Sequence, residues 1–352
     1  MPSHSFQDYD LAILLPCYNE GQSIAKVVLD FRRALPQSRI YVYDNNSSDD
    51  TSEQAARAGA IVIPSRRQGK GNVVRQMFAD IEADIYIMAD GDDTYDAAKA
   101  PELVQHLLDD RLDMVVGVRE DVTIDAGRKG HAFGNKIFNI VYQTLFGRDF
   151  NDIFSGYRVF TRRFAKSFPA VSPGFEIETE MSVHASILRL PTAEIPTAYG
   201  RRGEGSESKL STFKDGFKIL RMMSMLMKET RPFAFFGILA LGFFAASGLF
   251  MTPVIIEYFQ TGLVSRMPTW ILAMTLMMAG MMCFMSGMIL DSVARSRAEQ
   301  KRIHYLSLAP ARGEGLTGGI QLRNRRETVE VNAAEPQKAY NSLQAVVNNQ
   351  TG

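Results

Sequence analysis

The sequence predicts an α/β fold: a doubly wound, mostly parallel sheet, then an amphipathic interface helix and a two-helix transmembrane hairpin. Three observations predict it. Five short apolar runs alternate with helix-like segments over residues 10–118. Polar or acidic clusters follow three of those runs directly. Two long stretches without a formal charge come later, Pro232 to Ile256 with 25 residues and Met267 to Leu290 with 24.

The apolar runs are LAILLP (11–16), RIYVYD (39–44), AIVIP (60–64), DIYIMAD (84–90) and DMVVGV (113–118). Helices are expected between them at about 21–35, 50–58, 71–81 and 99–110. Val/Ile-rich runs buried on both faces and separated by helices argue for parallel strands. Such sheets bind ligands beyond the carboxyl ends of their strands. The clusters CYNE, DNNSSDDT and ADGDDTYD would therefore converge on one edge. Residues 119–210 are less regular, with a helix expected around 131–147. Residues 211–231 read as an amphipathic helix, with Lys214, Lys218, Arg221 and Lys228 on a narrow face and Phe217, Leu220, Met223 and Met227 on the broad one. Before a membrane span that pattern suits a helix lying at the interface, the alternative being a surface helix packed on the domain.

Each uncharged stretch exceeds the roughly 20 residues that cross a hydrocarbon core; buried core helices are the alternative. Lys214, Lys218, Arg221, Lys228 and Arg231 precede the first span and Arg295, Arg297, Lys301 and Arg302 follow the second, while the link between them holds one cation, Arg266. The positive-inside bias puts both termini in the cytoplasm. From about residue 303 the chain turns polar and rich in Gly, Asn and Gln, which reads as a disordered tail.

Bulk composition excludes several classes. Lys+Arg and Asp+Glu are both 39, so nothing points to nucleic acid. Cys17 and Cys283 are the two cysteines, far apart, which fits a reducing compartment without a disulfide. Five scattered histidines form no zinc pattern. The first residues, MPSHSFQDYD, lack a signal-peptide core. The mean hydropathy of −0.09 averages two unlike parts.

The acidic loop carries the sharpest chemical signal. Asp90, Asp92, Asp93 and Asp96 crowd behind a strand, and such self-repulsion calls for a cation. Asp90 and Asp92 are two apart, so an extended backbone turns both carboxylates the same way, and Gly91 lets the backbone approach a ligand. Hard oxygen ligands suit Mg²⁺ or Mn²⁺ held jointly with substrate phosphates. An EF-hand fails at Tyr95, where glycine is needed, and at Pro101, where a glutamate should be. GKG at 69–71 opens a helix whose N–H groups and Lys70 could meet a phosphate, or simply start the helix.

Taken in order, LPCYNE, DNNSSDDT, ADGDD, DIFSGYRVF, GFEIETEM and GSESKL resemble the family 2 glycosyltransferases of GT-A fold. More closely, they resemble the polyprenyl-phosphate glycosyltransferases, the dolichyl-phosphate mannose and glucose synthases and their bacterial undecaprenyl-phosphate relatives. The resemblance runs from about Leu11 to Ile219. It implies Pro16, Tyr18 and Glu20 near the base and ribose of a nucleotide-sugar donor and Asp44 on the base with Asn46 nearby; Lys70, Asp90, Gly91 and Asp92 complete the expected donor site. It implies the metal, Mg²⁺ or Mn²⁺, on Asp90 and Asp92. Arg119, Arg128 and Arg202 fall where the family's acceptor-phosphate arginines lie, with Lys209 assisting; Asp92, Arg119 and Arg128 are the expected catalytic residues. The implied reaction inverts the sugar as it passes to a polyprenyl monophosphate, undecaprenyl or dolichyl. A lipid phosphate is already anionic, so it needs positioning rather than a base. A saccharide hydroxyl acceptor would need one, and Glu176, Glu178 and Glu180 are candidates; a non-catalytic membrane scaffold is a third reading. Gly91 stands where many relatives have alanine, and GVRE at 117–120 replaces Gly-Ser-Arg. The expected domains are 1–210 cytoplasmic catalytic, 211–231 juxtamembrane, spans 232–256 and 267–290, and a cytoplasmic tail 291–352, in a protein of the bacterial inner membrane.

Assembly rests on a seam in the second span. Ala273, Gly280 and Gly287 recur every seven residues beside Met274, Met278, Met281, Met285 and Met288. Small residues let helices approach in lipid. The expectation is a homo-oligomer, a tetramer by analogy with relatives; alternatively the seam packs the first span through Gly242 and Ala246.

Overall fold

The computed structural model describes residues 8–120, 142–143, 147, 150–174, 176–200, 221, 224–225 and 227–309. The helix expected at 131–147 therefore lies outside the described residues except for Tyr142 and Gln143, both helical, and Gly147, which is not, and most of the 211–231 helix lies outside them too.

Seven strands form one sheet in the order β3-β2-β1-β4-β6-β5-β7. They are β1 Leu11–Cys17, β2 Arg39–Asp44, β3 Ile61–Pro64, β4 Ile85–Met88, β5 Met114–Glu120, β6 Arg158–Thr161 and β7 Thr192–Ala198. The first five match the apolar runs. β1, β2, β3 and β4 are mutually parallel, β5 is parallel to β7, and β6 runs antiparallel between β4 and β5. Helices α1 Ile24–Ala34, α2 Thr51–Arg57, α3 Lys70–Asp80 and α4 Ala100–Asp109 connect the early strands; α5 Arg162–Ser167 and α6 Ile177–Leu188 follow β6.

Strand periodicity sorts the core into two layers. Leu11, Ile13 and Leu15 of β1 face α1 and α4 together with Ile85 and Ile87 of β4. Ala12 and Leu14 turn to the other face with Tyr86 and Met88, beneath α3, α5 and α6. All four β4 residues are buried, so the carboxylate that follows cannot continue the strand between two apolar layers. The chain turns out at Asp90, which places the acidic loop on the carboxyl edge.

Helix α7 spans Pro232–Thr261 and α8 spans Met267–Ser307; both are long and apolar enough to cross a membrane. α7 stops at Gly262, whose φ of 72° allows the left-handed cap in which its N–H bonds Tyr258 O. Ala273, Gly280 and Gly287 are all buried against α7 of the same chain. Ser247 Oγ donates to Ala273 O at 2.7 Å, and a Cβ at Gly280 would meet the Phe244 ring at 2.7 Å. The seam expected to join protomers is thus the hairpin's own packing surface. Its partners on α7 are Ala240 and Ser247, not Gly242, which faces open space. The methionines beside it, such as Met278 and Met281, point outward. α8 also runs past the expected end of the second span, through Ser307, so the start of the tail expected at about 303 is helical.

Candidate active site

The carboxyl edge of the sheet is built from three walls. The loops after β1 and β2 are laced together: Asn19 N–H donates to Ser47 Oγ at 2.9 Å, Ser48 N–H to Asn19 Oδ1 at 2.8 Å, Glu20 N–H to Thr51 Oγ1 at 2.9 Å and Gly21 N–H to Asp49 Oδ2 at 3.0 Å. Asp44 ends β2 and folds onto its own loop, accepting from Ser47 N–H at 2.9 Å and from Ser52 Oγ. Pro16 is half-buried under this rim and Tyr18 is exposed on it. Asn46 adopts φ 61° and donates to Arg66 O at 2.9 Å. Its neighbour Asn45, buried and not singled out from sequence, does more. Its amide donates to Ser65 O and Arg67 O and accepts from Gly69 N–H at 2.7 Å, stapling the β2 loop to the start of α3.

The acidic loop supplies the second wall. Asp92 is 5% exposed, and its Oδ1 accepts from Thr94 Oγ1 at 2.6 Å, which fixes the carboxylate. Asp93 leaves the pair and bonds Lys26 at 2.6 Å on the far side of the loop. Asp90 is directed at Lys70, whose ammonium also sits 2.5 Å from Glu178 Oε1. Lys70 is therefore held between two carboxylates, rather than extended toward solvent. Burial opposes its charge, but Asp90 and Glu178 overcome that and raise it above its ordinary value. Burial pushes Glu178 up; Lys70 pulls it back and Asp90 adds to the rise. The glycines of GKG serve close approach: a Cβ at Gly71 would meet Ser172 O at 2.0 Å, so α3 starts pressed against that backbone.

The third wall comes from the segment 150–158, where sequence showed a motif but no roles. Arg119, at the end of β5, makes a two-pronged pair with Asp152, Nε and Nη2 each at 2.8 Å, and its guanidinium lies 5.5 Å from the Tyr199 ring. Burial works against Arg119, but the bonds to Asp152 raise it well above its ordinary value. Burial likewise opposes ionisation of Asp152, and Arg119 overcomes this and holds it below the usual carboxylate range. Arg158 is fully buried and donates to Ser155 O at 2.8 Å, Ile153 O at 3.0 Å and Ser182 Oγ at 3.0 Å. It acts as an internal template for the loop that carries Gly156. Gly156 N–H donates to Tyr95 Oη at 2.8 Å, and a Cβ there would lie 3.1 Å from both Asp90 and Lys70.

Of the three candidate bases, Glu178 pairs with Lys70 and Glu180 accepts the Val171 and Ser172 N–H groups at 2.9 and 2.7 Å. Glu176 alone keeps a buried oxygen, Oε2, with no hydrogen-bond partner among the described residues. Arg128, Arg202 and Lys209 lie outside the described residues.

The donor set fits a hard divalent cation in kind: one carboxylate fixed by Thr94, a second 28% exposed, and space at Gly156 that any Cβ would fill. No group of three ligating side chains converges among the described residues, so other ligands would be substrate oxygens and water.

A doubly wound sheet with an acidic pair following a central strand, beside the β1 and β2 loops, has the ligand-binding edge of a GT-A fold. The chain belongs to glycosyl transferase family 2, whose model matches residues 12–168, and it is a glycosyltransferase. It is 34% identical over 300 residues to Glycosyltransferase AglJ of Haloferax volcanii, covering 84% of this chain and 98% of that one. It is 27% identical over 231 residues to a dolichyl-phosphate hexose transferase of the same organism, covering 66% and 99%. Among solved structures, glucosyl-3-phosphoglycerate synthase of Mycobacterium tuberculosis, in complex with Mn²⁺, UDP-glucose and phosphoglyceric acid, aligns with a TM-score of 0.53 at 20% identity. That alignment covers 64% of this chain and 81% of the synthase, and the likeness is one of fold.

Proposed function

We propose that this glycosyltransferase moves a sugar, with inversion, from a UDP- or GDP-sugar to a polyprenyl monophosphate at the cytoplasmic face of a membrane. The observation that carries it is the union, in one chain, of the family 2 catalytic edge with two helices of membrane-spanning length. A relative named for dolichyl-phosphate hexose transfer supports the acceptor class. The glutamates support it too, because two of the three that a hydroxyl acceptor would call on as base are committed elsewhere.

The β1 and β2 loops, with Tyr18 on the rim and Asp44 and Asn46 at the strand end, would hold the nucleoside. Asp90 and Asp92 would hold Mg²⁺ or Mn²⁺, which supplies Lewis-acid stabilisation of the departing diphosphate. Lys70 keeps Asp90 oriented and partly neutralised. Arg119 is pinned by Asp152, so its role is to fix β5 beside the site and to add positive potential for an incoming phosphate. Direct contacts to that phosphate fall to Arg128, Arg202 and Lys209. A phosphate oxygen attacks the anomeric carbon, the bond to the nucleoside diphosphate breaks, and no proton need be removed.

The test is a transfer assay on membranes with undecaprenyl phosphate and a panel of UDP- and GDP-sugars. Formation of a lipid-phosphate sugar is expected. Transfer only to saccharide hydroxyls would refute the acceptor, and Glu176 would then be the first base to examine.

A further inference from the structure

The hairpin does not end at the membrane. α8 has 41 residues, about 61 Å at 1.5 Å per residue, roughly twice the ~30 Å of a hydrocarbon core. Its last 17 residues, Asp291 to Ser307, therefore project into water, and they are attached to the catalytic domain at two levels.

The far level is a latch. Tyr305 is 8% exposed, and its hydroxyl donates to Asp113 Oδ2 at 2.6 Å. Arg163 donates to the same hydroxyl at 3.1 Å and lies 5.0 Å from the ring centre. Asp113 is buried, and its Oδ1 accepts from Thr161 Oγ1 at 2.8 Å. Asp113 precedes β5 and Thr161 ends the antiparallel β6, so this cluster marks the edge of the sheet opposite Asp90. The near level is a cleft of about 180 Å³ where Ala294 and Ala298 face Val183 and Ile187 of α6. α6 begins beside Lys70 at the catalytic edge and ends near the start of β7 at the base. α8 therefore passes α6 from the catalytic end toward the base, with its membrane end on the catalytic side.

The lengths agree. From Leu290 to Tyr305 α8 rises about 22 Å, and from Ile85 to Asp90 the strand climbs about 17 Å. We infer that residues 291–307 form a rigid strut, latched by Tyr305 to the base of the sheet, that turns the catalytic edge toward the membrane and holds it at the surface. Tyr305 is then a positioning residue for a membrane-borne acceptor, some 17 Å from the chemistry it serves. This role rests on the lipid-phosphate acceptor proposed above; the strut itself does not.

The test uses the full chain in nanodiscs, with Tyr305→Ala and the milder Tyr305→Phe, which keeps the ring over Arg163 and loses the bond to Asp113. Two readouts are taken. Hydrogen exchange over residues 295–309 should rise about ten-fold or more in Tyr305→Ala. The KM for undecaprenyl phosphate should rise about five-fold or more while kcat, UDP and GDP affinity, and acceptor-free donor cleavage stay near wild type, with Tyr305→Phe in between. Unchanged exchange overturns the strut. Raised exchange with unchanged lipid KM overturns the positioning role. If the wild-type protein cleaves donor but never glycosylates undecaprenyl phosphate, the acceptor reading fails instead, and with it the positioning role, while exchange alone still decides the strut.

Discussion

Lys70→Met removes the ammonium held between Asp90 and Glu178 and keeps most of the side-chain volume. The Lys70 and Glu178 side chains are 9% and 4% exposed, so the glutamate would be left as a buried charge facing methionine; Asp90, 28% exposed, can turn to water. Breaking a buried pair in this way costs about 3–5 kcal/mol, most of it from Glu178. For a domain of this size that is a fall in Tm of roughly 6–20 °C. Lys70→Met with Glu178→Gln removes the stranded charge and should recover about 2–3 kcal/mol of the loss. The pH dependence has a definite sign. Without its partner Glu178 has a folded pKa raised further above the unfolded value, so stability is fully present below about pH 4.3 and lost as pH rises through the folded pKa. The single variant should therefore lie close to wild type at pH 5 and far below it at pH 8. Thermal unfolding of the full-length protein in detergent, followed by circular dichroism, reads all three variants. Equal losses in the single and double variants, or a loss independent of pH, would refute the ion-pair account of this site.

Other outcomes follow from the same geometry. Asp92→Asn should weaken Mn²⁺ binding, measured by titration calorimetry with UDP or GDP present, by about ten-fold or more, about 1.4 kcal/mol, with the fold intact; undiminished binding would remove Asp92 from the metal site. His184 is buried and held down to about 3, by burial first and by Lys301 second. Its contribution is present above the unfolded pKa near 6.5 and is lost as pH falls toward 3, at up to about 1.4 kcal/mol per pH unit, a slope that His184→Phe should flatten in urea melts taken from pH 7 to 5. A Cβ at Gly91 would meet Cys17 Sγ at 2.5 Å. Gly91→Ala should therefore cost about 1–3 kcal/mol, and Cys17→Ala in the same chain should restore most of it, as the two melting curves will show.

Where a local pattern decides the structure, the sequence was readable. β1 to β5 and α1 to α4 are set by apolar periodicity, and their ends by the first charge or turn residue that the core cannot accept. The acidic loop, the polar ends of β1 and β2 and the two long helices were legible for that reason. β6 and β7 were not, because RVFT and TAEIPTA become strands only through partners more than 40 residues away. The pairing of side chains was hidden as well. Nothing local shows that Lys70 will meet Glu178, 108 positions later, or that Arg119 will meet Asp152. The seam of Ala273, Gly280 and Gly287 was legible as a packing surface, but not its partner. Spacing tells which face is small, and the loop length decides that α7 reaches it first.

The acidic edge also acts on the thiol beneath it. Cys17 is 2% exposed, and burial, then Glu20, Asp90, Asp44 and Asp92 in turn, push its pKa well above the ordinary thiol value. A thiol that neither ionises nor meets solvent does not react with alkylating agents or peroxide at neutral pH. Cys283, the other cysteine, lies within the second apolar helix. The native catalytic domain therefore presents no reactive thiol among its described residues. A single cysteine introduced on its surface can carry a spin label or fluorophore with Cys17 left in place, and accessible Cys17 reports that the sheet has opened.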